Sequence, residues 1–572
     1  MMPRRTVVLA LICALGATSA LARDDDKVAA VVESILQGPP SAGLEEMRDH
    51  DLLSGHLRRL YAGRDYRPMW FEAGGLTGGA IKALERLGRA EEHGLRPGDY
   101  LIGPIDPAVL GNFQTGSAAE EVALTELAIS FSALRYIKDL REGRFSPKQL
   151  ELGLDISHRR LDLAAELLAV LEADNPAQAV DARAPVHEGY WLLKRELARY
   201  RELAREDEWV RLHDGKVVRP GEEYRDIERL QTRLALTGDL PADAPPSGAY
   251  EGEMVEAVKR FQHRHGLDVD GIIGKQTFAQ LNVPWTDRVA QIAVSLERWR
   301  WLPDAPEGTP IVVNVPAYLM RGLSRDGAGF LPTFESRVVV GRAYHRYQTP
   351  IFSGRLQYLD FRPYWNIPRS IVRNEMSAKL SPAYLDKNDF EIVSQFGHDA
   401  RPLPPTSENI ASVKNGRLHL RQRPGPNNAL GLVKFIFPNE HNVYLHSTPA
   451  KGLFAKARRD FSHGCIRVED PVGLAEWVLE DQPAWDRPAI ERAMAEGGPT
   501  RVRVQRPIPV FILYTTALVD ETTGLVHFWE NIYGGDAKLA ASLGHPLSQT
   551  VRQRWAAFSR AAGDGPRFRP RP

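Results

Sequence analysis

Three things are scarce in this 572-residue chain, and each scarcity excludes something. There are two cysteines, Cys13 and Cys465, too few for the disulfide framework that staples small secreted domains. There is no surplus of either charge, with 73 Lys+Arg against 73 Asp+Glu. The chain thus lacks the basic excess that neutralises a phosphate backbone, and nucleic acid is not an expected partner. There is also no apolar run of the ~20 residues that a bilayer-spanning helix needs.

The nearest approach to such a run is Thr6–Leu15, preceded by Arg4 and Arg5 and followed by Ala20-Leu21-Ala22. A basic start, an apolar centre and small residues at the cleavage positions predict an export signal, residues 1–22, removed after Ala22. A retained N-terminal anchor is the competing reading. With the signal gone, no integral membrane span is expected, and Cys13 leaves with it. The mature chain then keeps one thiol, Cys465. In an oxidising compartment an unpaired thiol is either buried and inert or kept for its chemistry, and the count alone does not choose.

What is present divides by periodicity. Residues 23–222 read as a helical scaffold. In Ala118–Arg141, Leu124, Leu127, Phe131, Leu134 and Ile137 recur at helical spacing, and Gly143 stops the run. Further amphipathic segments lie at Leu161–Glu172 and Tyr190–Arg205. Residues 223–284 carry two short stripes, Ile227/Leu230/Leu234 and Met254/Val258/Phe261. A glycine-punctuated turn follows, then a third helix over Lys275–Leu281. From about 310 to 505 the pattern turns to β-branched runs bounded by Pro and Gly: Ile311–Val315, Arg337–Val340, Arg355–Phe361, Leu432–Phe437 and Asn442–Leu445. Ile371–Gln395 is helix-like and interrupts them. Together with a Pro/Asn/Gly-rich continuation it makes an insertion of about 369–428, long enough to cap a site. Residues 506–572 are expected to pack on the β domain as a C-terminal segment.

The chemistry gathers in residues 443–471, VYLHSTPAKGLFAKARRDFSHGCIRVEDP. Gly464 lets the backbone turn sharply beside Cys465. Two histidines are close in sequence, His446 and His463. A thiol becomes a nucleophile when a neighbouring imidazole takes its proton, and the pair is then expected as thiolate and imidazolium with a depressed cysteine pKa. His463 is two residues away and His446 ends the preceding strand; spacing does not choose between them. Tyr444, two before His446, shares its face and reads either as a wall of the site or as core. Arg467 fits a bidentate contact to a substrate carboxylate, or equally a structural pair with Glu469 or Asp470. His441, His446, His463 and Cys465 are zinc-ligand types, but their spacing fits no standard zinc pattern, and no cofactor is expected.

Two resemblances follow from these residues. AVKRFQHRHGLDVDGIIGKQTFAQLN resembles the three-helix peptidoglycan-binding module of wall enzymes. HSTP…SHGCIRV, with 19 residues from His446 to Cys465, resembles the signature of the L,D-transpeptidases with a YkuD-type catalytic domain. YRPMWF, EHGLRPGDY, YWNIPRSIVRNEMSAKLSPAYL, RQRPGPNNALGLVKFIFPN and PIPVFILYTTALVDETTGLVHFWENIYGGD resemble segments of its large periplasmic YcbB-like subclass.

The resemblance implies an α+β multidomain protein: a helical scaffold, a peptidoglycan-binding module and a mostly β, sandwich-like catalytic domain with an inserted cap. It implies Cys465 as nucleophile and His446 as general base and proton donor, with His463 and Ser462 in support. Backbone N–H groups at Gly464 and Cys465 would form the oxyanion hole. A backbone carbonyl would orient His446, with Asp460 as the alternative. The implied reaction joins peptidoglycan stem peptides, a tetrapeptide donor and a diaminoacid amine acceptor, through a thioester into 3→3 cross-links in the periplasm, with carbapenems as acylating agents. Hydrolysis by the same acyl-enzyme and a non-catalytic wall-binding protein are the competing readings.

Overall fold

The computed structural model describes residues 25–551 apart from 39–48, 73–74, 102–117, 151–160, 207–208, 305–307, 328, 344–346, 398 and 550. The expected export signal, with Cys13, and residues 552–572 lie outside the described residues.

The N-terminal part is helical: α1 (Asp25–Gln37), α2 (His50–Ala62), α3 (Gly78–Leu87), α4 (Ala118–Glu142), α5 (Leu163–Leu171), α6 (Pro176–Asp181) and α7 (Glu188–Glu206). Helix α4 is the spine. Its Leu127, Phe131, Leu134 and Ile137 are buried, and so are polar groups on its other faces. Buried polar groups must find partners. Glu126 accepts from Tyr61 Oη at 2.6 Å and from the N–H groups of Met69 (2.7 Å) and Trp70 (3.0 Å). Asp139 accepts from Tyr100 Oη at 2.9 Å.

The next unit is the three-helix module: α8 (Ile227–Leu236), α9 (Glu253–Arg264) and α10 (Lys275–Leu281) around their own apolar cluster. Helix α9 ends at Arg264, and Gly266, at φ +63°, turns the chain just beyond it. A Cβ there would come within 2.9 Å of Trp529, so the glycine also admits the C-terminal region. Arg264 pairs with the buried Asp239 and donates to the Val526 carbonyl at 2.9 Å, tying the module to that region.

Helix α11 (Trp285–Trp299), which no expected domain included, joins the parts. It is buried on nearly every side, its polar residues Asp287, Arg288, Gln291, Ser295 and Glu297 included, so those groups must find partners. Glu297 accepts from Phe145 N at 2.8 Å, reaching the scaffold. Arg288 donates to Gln280 Oε1 at 2.9 Å, reaching the module. Gln291 donates to the carbonyls of Thr516 (2.9 Å) and Trp529 (3.0 Å), reaching the C-terminal region.

The β domain begins with β1 (Ile311–Asn314), β2 (Leu319–Asp326), β3 (Gly329–Gly341) and β4 (Phe352–Phe361). An insertion follows. It has a short helical stretch, Arg369–Met376, then α12 (Pro382–Lys387) and α13 (Ser407–Lys414), with β5 (Trp365–Asn366), β6 (Phe390–Val393) and β7 (His419–Gln422) forming a three-stranded sheet. The insertion has its own apolar cluster, including Ile367, Val372, Leu385, Ile392 and Leu420. The helix-like reading of Ile371–Gln395 fails at its end. Ser381 caps α12, Asp389 turns the chain at φ +56°, and Ile392 and Val393 pair with β7 instead of continuing a helix.

The main sheet resumes with β8 (Val433–Ile436), β9 (Leu445–His446), β10 (Asp460–Ser462), β11 (Ile466–Val468) and β12 (Thr500–Leu513). Helices α14 (Pro471–Val478) and α15 (Arg487–Ala495) precede β12, and a hairpin of β13 (Ala517–Val519) and β14 (Val526–Phe528) follows it. Strand order is β10-β3-β11-β9-β8-β4-β12-β1-β2, and β2 pairs back onto β3. Strand β12 runs through the expected boundary at 505/506, so residues 507–513 belong to the sheet itself. Asn442–Tyr444, read as strand, lies outside it: a turn at Glu440–His441 leads into Asn442 at φ +54°, and pairing begins only at Leu445. The chain is thus an α+β multidomain protein: helical region, helical module and mostly β domain. No helix among the described residues is long and apolar enough to cross a membrane.

Candidate active site

Register places the site. Val433, Phe435, Leu445, Ile466 and Val468 turn to the core, all fully buried, with α14 and α15 contributing Leu474, Ala475 and Ile490 to the same cluster. Side chains alternate across a strand, so Lys434, Tyr444, His446 and Arg467 share the opposite face. The pairings Arg501↔Asp360, Asp360↔Lys434, Lys434↔His446 and His446↔Arg467 line these residues up across five adjacent strands. One step before Leu445↔Ile466, the parallel register sets Cys465 beside Tyr444, and Ile466 N donates to the Tyr444 carbonyl at 2.9 Å. Cys465, Tyr444, His446 and Arg467, with a lysine from β8, therefore share one face.

Cys465 sits in the bend between β10 and β11, half-buried, and is the free thiol among the described residues. Its Sγ lies 3.7 Å from the Asn442 carbonyl, its hydrogen-bond acceptor here. Burial pushes the thiol above its ordinary range, opposed by the Tyr444 N–H and by the charges of Lys434 and Arg467. His446 is buried, and burial drags its pKa down to about 3, helped by the charge of Arg467. The expected thiolate–imidazolium pair is thus not the resting state. Desolvation opposes charge on both groups, leaving a neutral thiol and a neutral imidazole.

His446 Nδ1 lies 2.6 Å from the Ser447 carbonyl. A carbonyl can only accept, so Nδ1 carries the proton of the neutral ring and Nε2 is its basic nitrogen. Asp460 does not orient the ring: both its oxygens hold Arg458, at 2.5 and 2.7 Å.

The bend is built by hydrogen bonds. Ser462 Oγ donates to the Cys465 carbonyl at 2.5 Å and accepts the Gly464 N–H at 3.1 Å. Gly464 has φ +115°, a conformation other residues rarely adopt. Its carbonyl accepts from Thr349 Oγ1 at 2.8 Å, while Thr349 Oγ1 accepts from Gly341 N at 2.8 Å. Tyr533 Oη backs this arrangement, donating to the Gly341 carbonyl at 2.7 Å and accepting from Thr349 N at 3.1 Å. In a trans peptide the C=O and N–H point in opposite directions. Holding the Gly464 carbonyl on Thr349 therefore turns the Cys465 N–H the other way, and that N–H has no acceptor among the described residues. Of the two N–H groups expected at an oxyanion hole, Gly464's is engaged and Cys465's is open.

The remaining expected residues divide. His463 Nε2 is 2.7 Å from Glu375 Oε1 of the insertion, and its ring meets Tyr347 edge-on at 4.7 Å. It therefore joins the bend to the insertion. Arg467 has no ion pair with Glu469 or Asp470. Glu469 is held by Arg337 Nε at 2.6 Å, and Asp470 caps α14 at Gly473 N, 2.9 Å away. The Arg467 Nε is buried without an acceptor. His441 packs on Phe352 at 4.9 Å. No group of three or more His, Cys, Asp or Glu among the described residues is placed to hold a metal.

Lys434 was not singled out by sequence. Its ammonium sits 3.7 Å from the Tyr444 ring centroid, and burial lowers its pKa against the opposing pull of Cys465 and Asp360. The available signal was a lysine alternating with Val433 and Phe435 in an apolar strand.

With this geometry in hand, likenesses to known proteins can be placed on it. Residues 309–504 match the model of the L,D-transpeptidase catalytic domain, 223–281 that of the "Putative peptidoglycan binding domain", and 55–197 a scaffold domain. A "Putative L,D-transpeptidase" of Haemophilus influenzae is 30% identical over 251 residues, 44% of this chain and 48% of that protein. The match thus spans about half the length of the curated relative. Among solved structures, an L,D-transpeptidase fragment from Xylanimonas cellulosilytica is 14% identical, with 54% of this chain and 100% of that chain covered, at a TM-score of 0.16. A fused Zn-dependent amidase/peptidase/peptidoglycan-binding domain protein from Clostridium acetobutylicum is 14% identical, with 52% and 99% covered, at 0.15. TM-scores this low constrain nothing. The β domain is an L,D-transpeptidase catalytic domain of the YkuD type. The chain carries it together with a peptidoglycan-binding domain.

Proposed function

We propose that the protein is a peptidoglycan L,D-transpeptidase of the cell envelope, exported through residues 1–22 and acting in the periplasm. Cys465 Sγ attacks the carbonyl of the L-centre of the diaminoacid at stem position three. His446 Nε2 takes the thiol proton as the C–S bond forms, which suits a neutral imidazole beside a neutral thiol. The Cys465 N–H faces the developing oxyanion. The bond between residues three and four breaks, and the D-Ala amine leaves with the proton returned by His446. The side-chain amine of a second diaminoacid then attacks the thioester, loses its proton to His446, and forms the 3→3 amide while the thiol is regenerated. Water in place of that amine would give hydrolysis by the same intermediate.

The observation that carries this reading is the single-face convergence of Cys465, Tyr444, His446 and Arg467, with an open N–H at the cysteine. Residues 223–284 would hold the enzyme at the wall, and the cap, about 369–428, would govern what reaches the thioester. The test is intact mass of the full chain after exposure to a carbapenem. A one-to-one adduct on wild type, absent from Cys465→Ala, supports the mechanism. A folded wild type that forms none overturns it. Muropeptide analysis with a tetrapeptide donor then separates transfer from hydrolysis.

A further inference from the structure

The face that carries the thiol holds more basic groups than the acyl-transfer steps use. Lys434 and Arg467 flank His446 in register, one on each neighbouring strand, and Cys465 lies one step along the same face. Neither cation has a carboxylate partner among the described residues. The Lys434 ammonium rests on the Tyr444 ring at 3.7 Å. The carboxylate opposite it in register, Asp360, is held by both nitrogens of Arg501, at 2.7 and 2.8 Å. Arg467 has lost Glu469 to Arg337 and Asp470 to a helix cap, and its Nε is buried without an acceptor. Among the described residues, the Arg342 side chain, on the Arg467 side, meets the Phe461 carbonyl at 3.3 Å and the Tyr347 ring. Half-buried cations without a counter-charge are unfavourable in the free protein. A ligand carboxylate would relieve that.

The reaction brings a carboxylate to this place. The bond that breaks is the last peptide bond of the donor, so the terminal carboxylate lies one residue, about 3.8 Å along the chain, from the carbonyl under attack. A carboxylate so close to the sulfur must fall among groups that border Cys465.

We propose that Lys434 and Arg467 form a subsite that grips the C-terminal carboxylate of the donor's leaving residue, making the enzyme a reader of free chain ends. This rests on the transpeptidase reading and adds what that reading lacks, a reason for the choice of bond. Arg467 offers a forked contact and Lys434 a point charge, on opposite sides of the base. A donor longer by one residue carries its carboxylate about 3.8 Å further on and loses both contacts.

The test compares release of the terminal residue from a tetrapeptide acid and from the same tetrapeptide with a C-terminal carboxamide. With charge-assisted contacts at two cations, wild type should favour the acid by about 10- to 100-fold in kcat/KM. In Lys434→Met that preference should shrink toward unity, chiefly through a raised KM for the acid, whereas Lys434→Arg should retain most of it. Equal rates on both donors by wild type overturn the subsite and leave the transpeptidase reading standing. So does a Lys434→Met enzyme that slows both donors by one common factor, since that pattern belongs to a lysine acting on the thiol alone. Folded wild type that releases nothing from either donor overturns the transpeptidase reading, and the subsite with it.

Discussion

Replacing Thr349 by Val should damage both the fold and the chemistry, by amounts the structure allows to be worked out. Thr349 is 1% exposed, and its hydroxyl joins two backbone groups, the Gly341 N–H and the Gly464 carbonyl, each at 2.8 Å. Valine keeps the shape and removes both contacts. Each buried group left unsatisfied costs about 1–3 kcal/mol, so stability should fall by roughly 2–6 kcal/mol, a large share of the ~5–15 kcal/mol typical of a fold. The second effect is local. Without the hydroxyl the Gly464 carbonyl is free to turn, and the Cys465 N–H turns with it. Complete loss of one oxyanion donor costs about 10²–10³ in rate; a loosened donor should cost about tenfold or more. Urea unfolding reads the first effect and the rate of carbapenem acylation reads the second. Thr349→Ser, which keeps the hydroxyl, should stay within a few-fold of wild type. Tyr533→Phe, removing the contacts to the Gly341 carbonyl and Thr349 N, should move both readouts in the same direction but less. A Thr349→Val protein that unfolds early yet acylates at the wild-type rate refutes the positioning role. Gly464 and Ser462 would then hold the peptide unaided.

Three further outcomes follow from charge and burial. The Cys465 thiol is pushed up rather than down, so its alkylation by iodoacetamide should be slow at neutral pH and keep rising above pH ~8.5, the ordinary thiol range; a plateau already reached at pH 7 would mean a preformed thiolate. His446 falls from 6.5 to about 3. Between those values the unfolded chain binds a proton that the folded site refuses, so its stabilising contribution is complete above 6.5 and lost as pH drops toward 3. His93, at about 3, and His527, at about 4, act in the same sense. His446→Gln should therefore flatten, without abolishing, the rise of the urea midpoint over that window, and an unchanged curve would rule out a buried neutral imidazole. Arg264→Met strands the buried Asp239 and should destabilise by about 3–5 kcal/mol, whereas Arg264→Met combined with Asp239→Leu should recover much of that loss; equal damage in both would place the cost in packing instead.

Much of the architecture was legible because its signals are local. The stripe Leu127–Ile137 is a helix, and α10 is Lys275–Leu281 as read from sequence. Among the strands that were not legible, two show why. In β12 the run TRVRVQRPIPVFIL contains Pro507 and Pro509, which argue against a strand. The sheet absorbs Pro507 in an irregularity between Arg503 and Ile508. Strand β2 pairs along its whole length with β3, yet Leu319–Asp326 carries Arg321, Gly322, Ser324 and Arg325 in place of an apolar run. Its Gly322 is there because a Cβ would strike Trp477, a contact 155 positions away that no local pattern encodes.

The site divides along the same line. Cys465, His446, His463 and Arg467 were found because all lie in one 29-residue stretch, 443–471, where spacing and residue type are visible together. Thr349, Tyr533 and Lys434 come from elsewhere in the chain and reach the bend only through the fold. The charge states were legible least of all. A cysteine near a histidine suggests an ion pair, but which state holds depends on how much water remains around both groups. Here burial wins over the favourable charges of Lys434 and Arg467 on the thiol. The same burial that keeps the thiol protonated also strengthens every charge–charge contact made when substrate enters. A resting site with a neutral nucleophile and two cations without carboxylate partners among the described residues is therefore a consistent design. It should be slow toward neutral alkylating agents and fast toward a donor that brings its own carboxylate. Comparing wild-type rates on these two kinds of electrophile at one pH tests that coupling, and equal rates would break it.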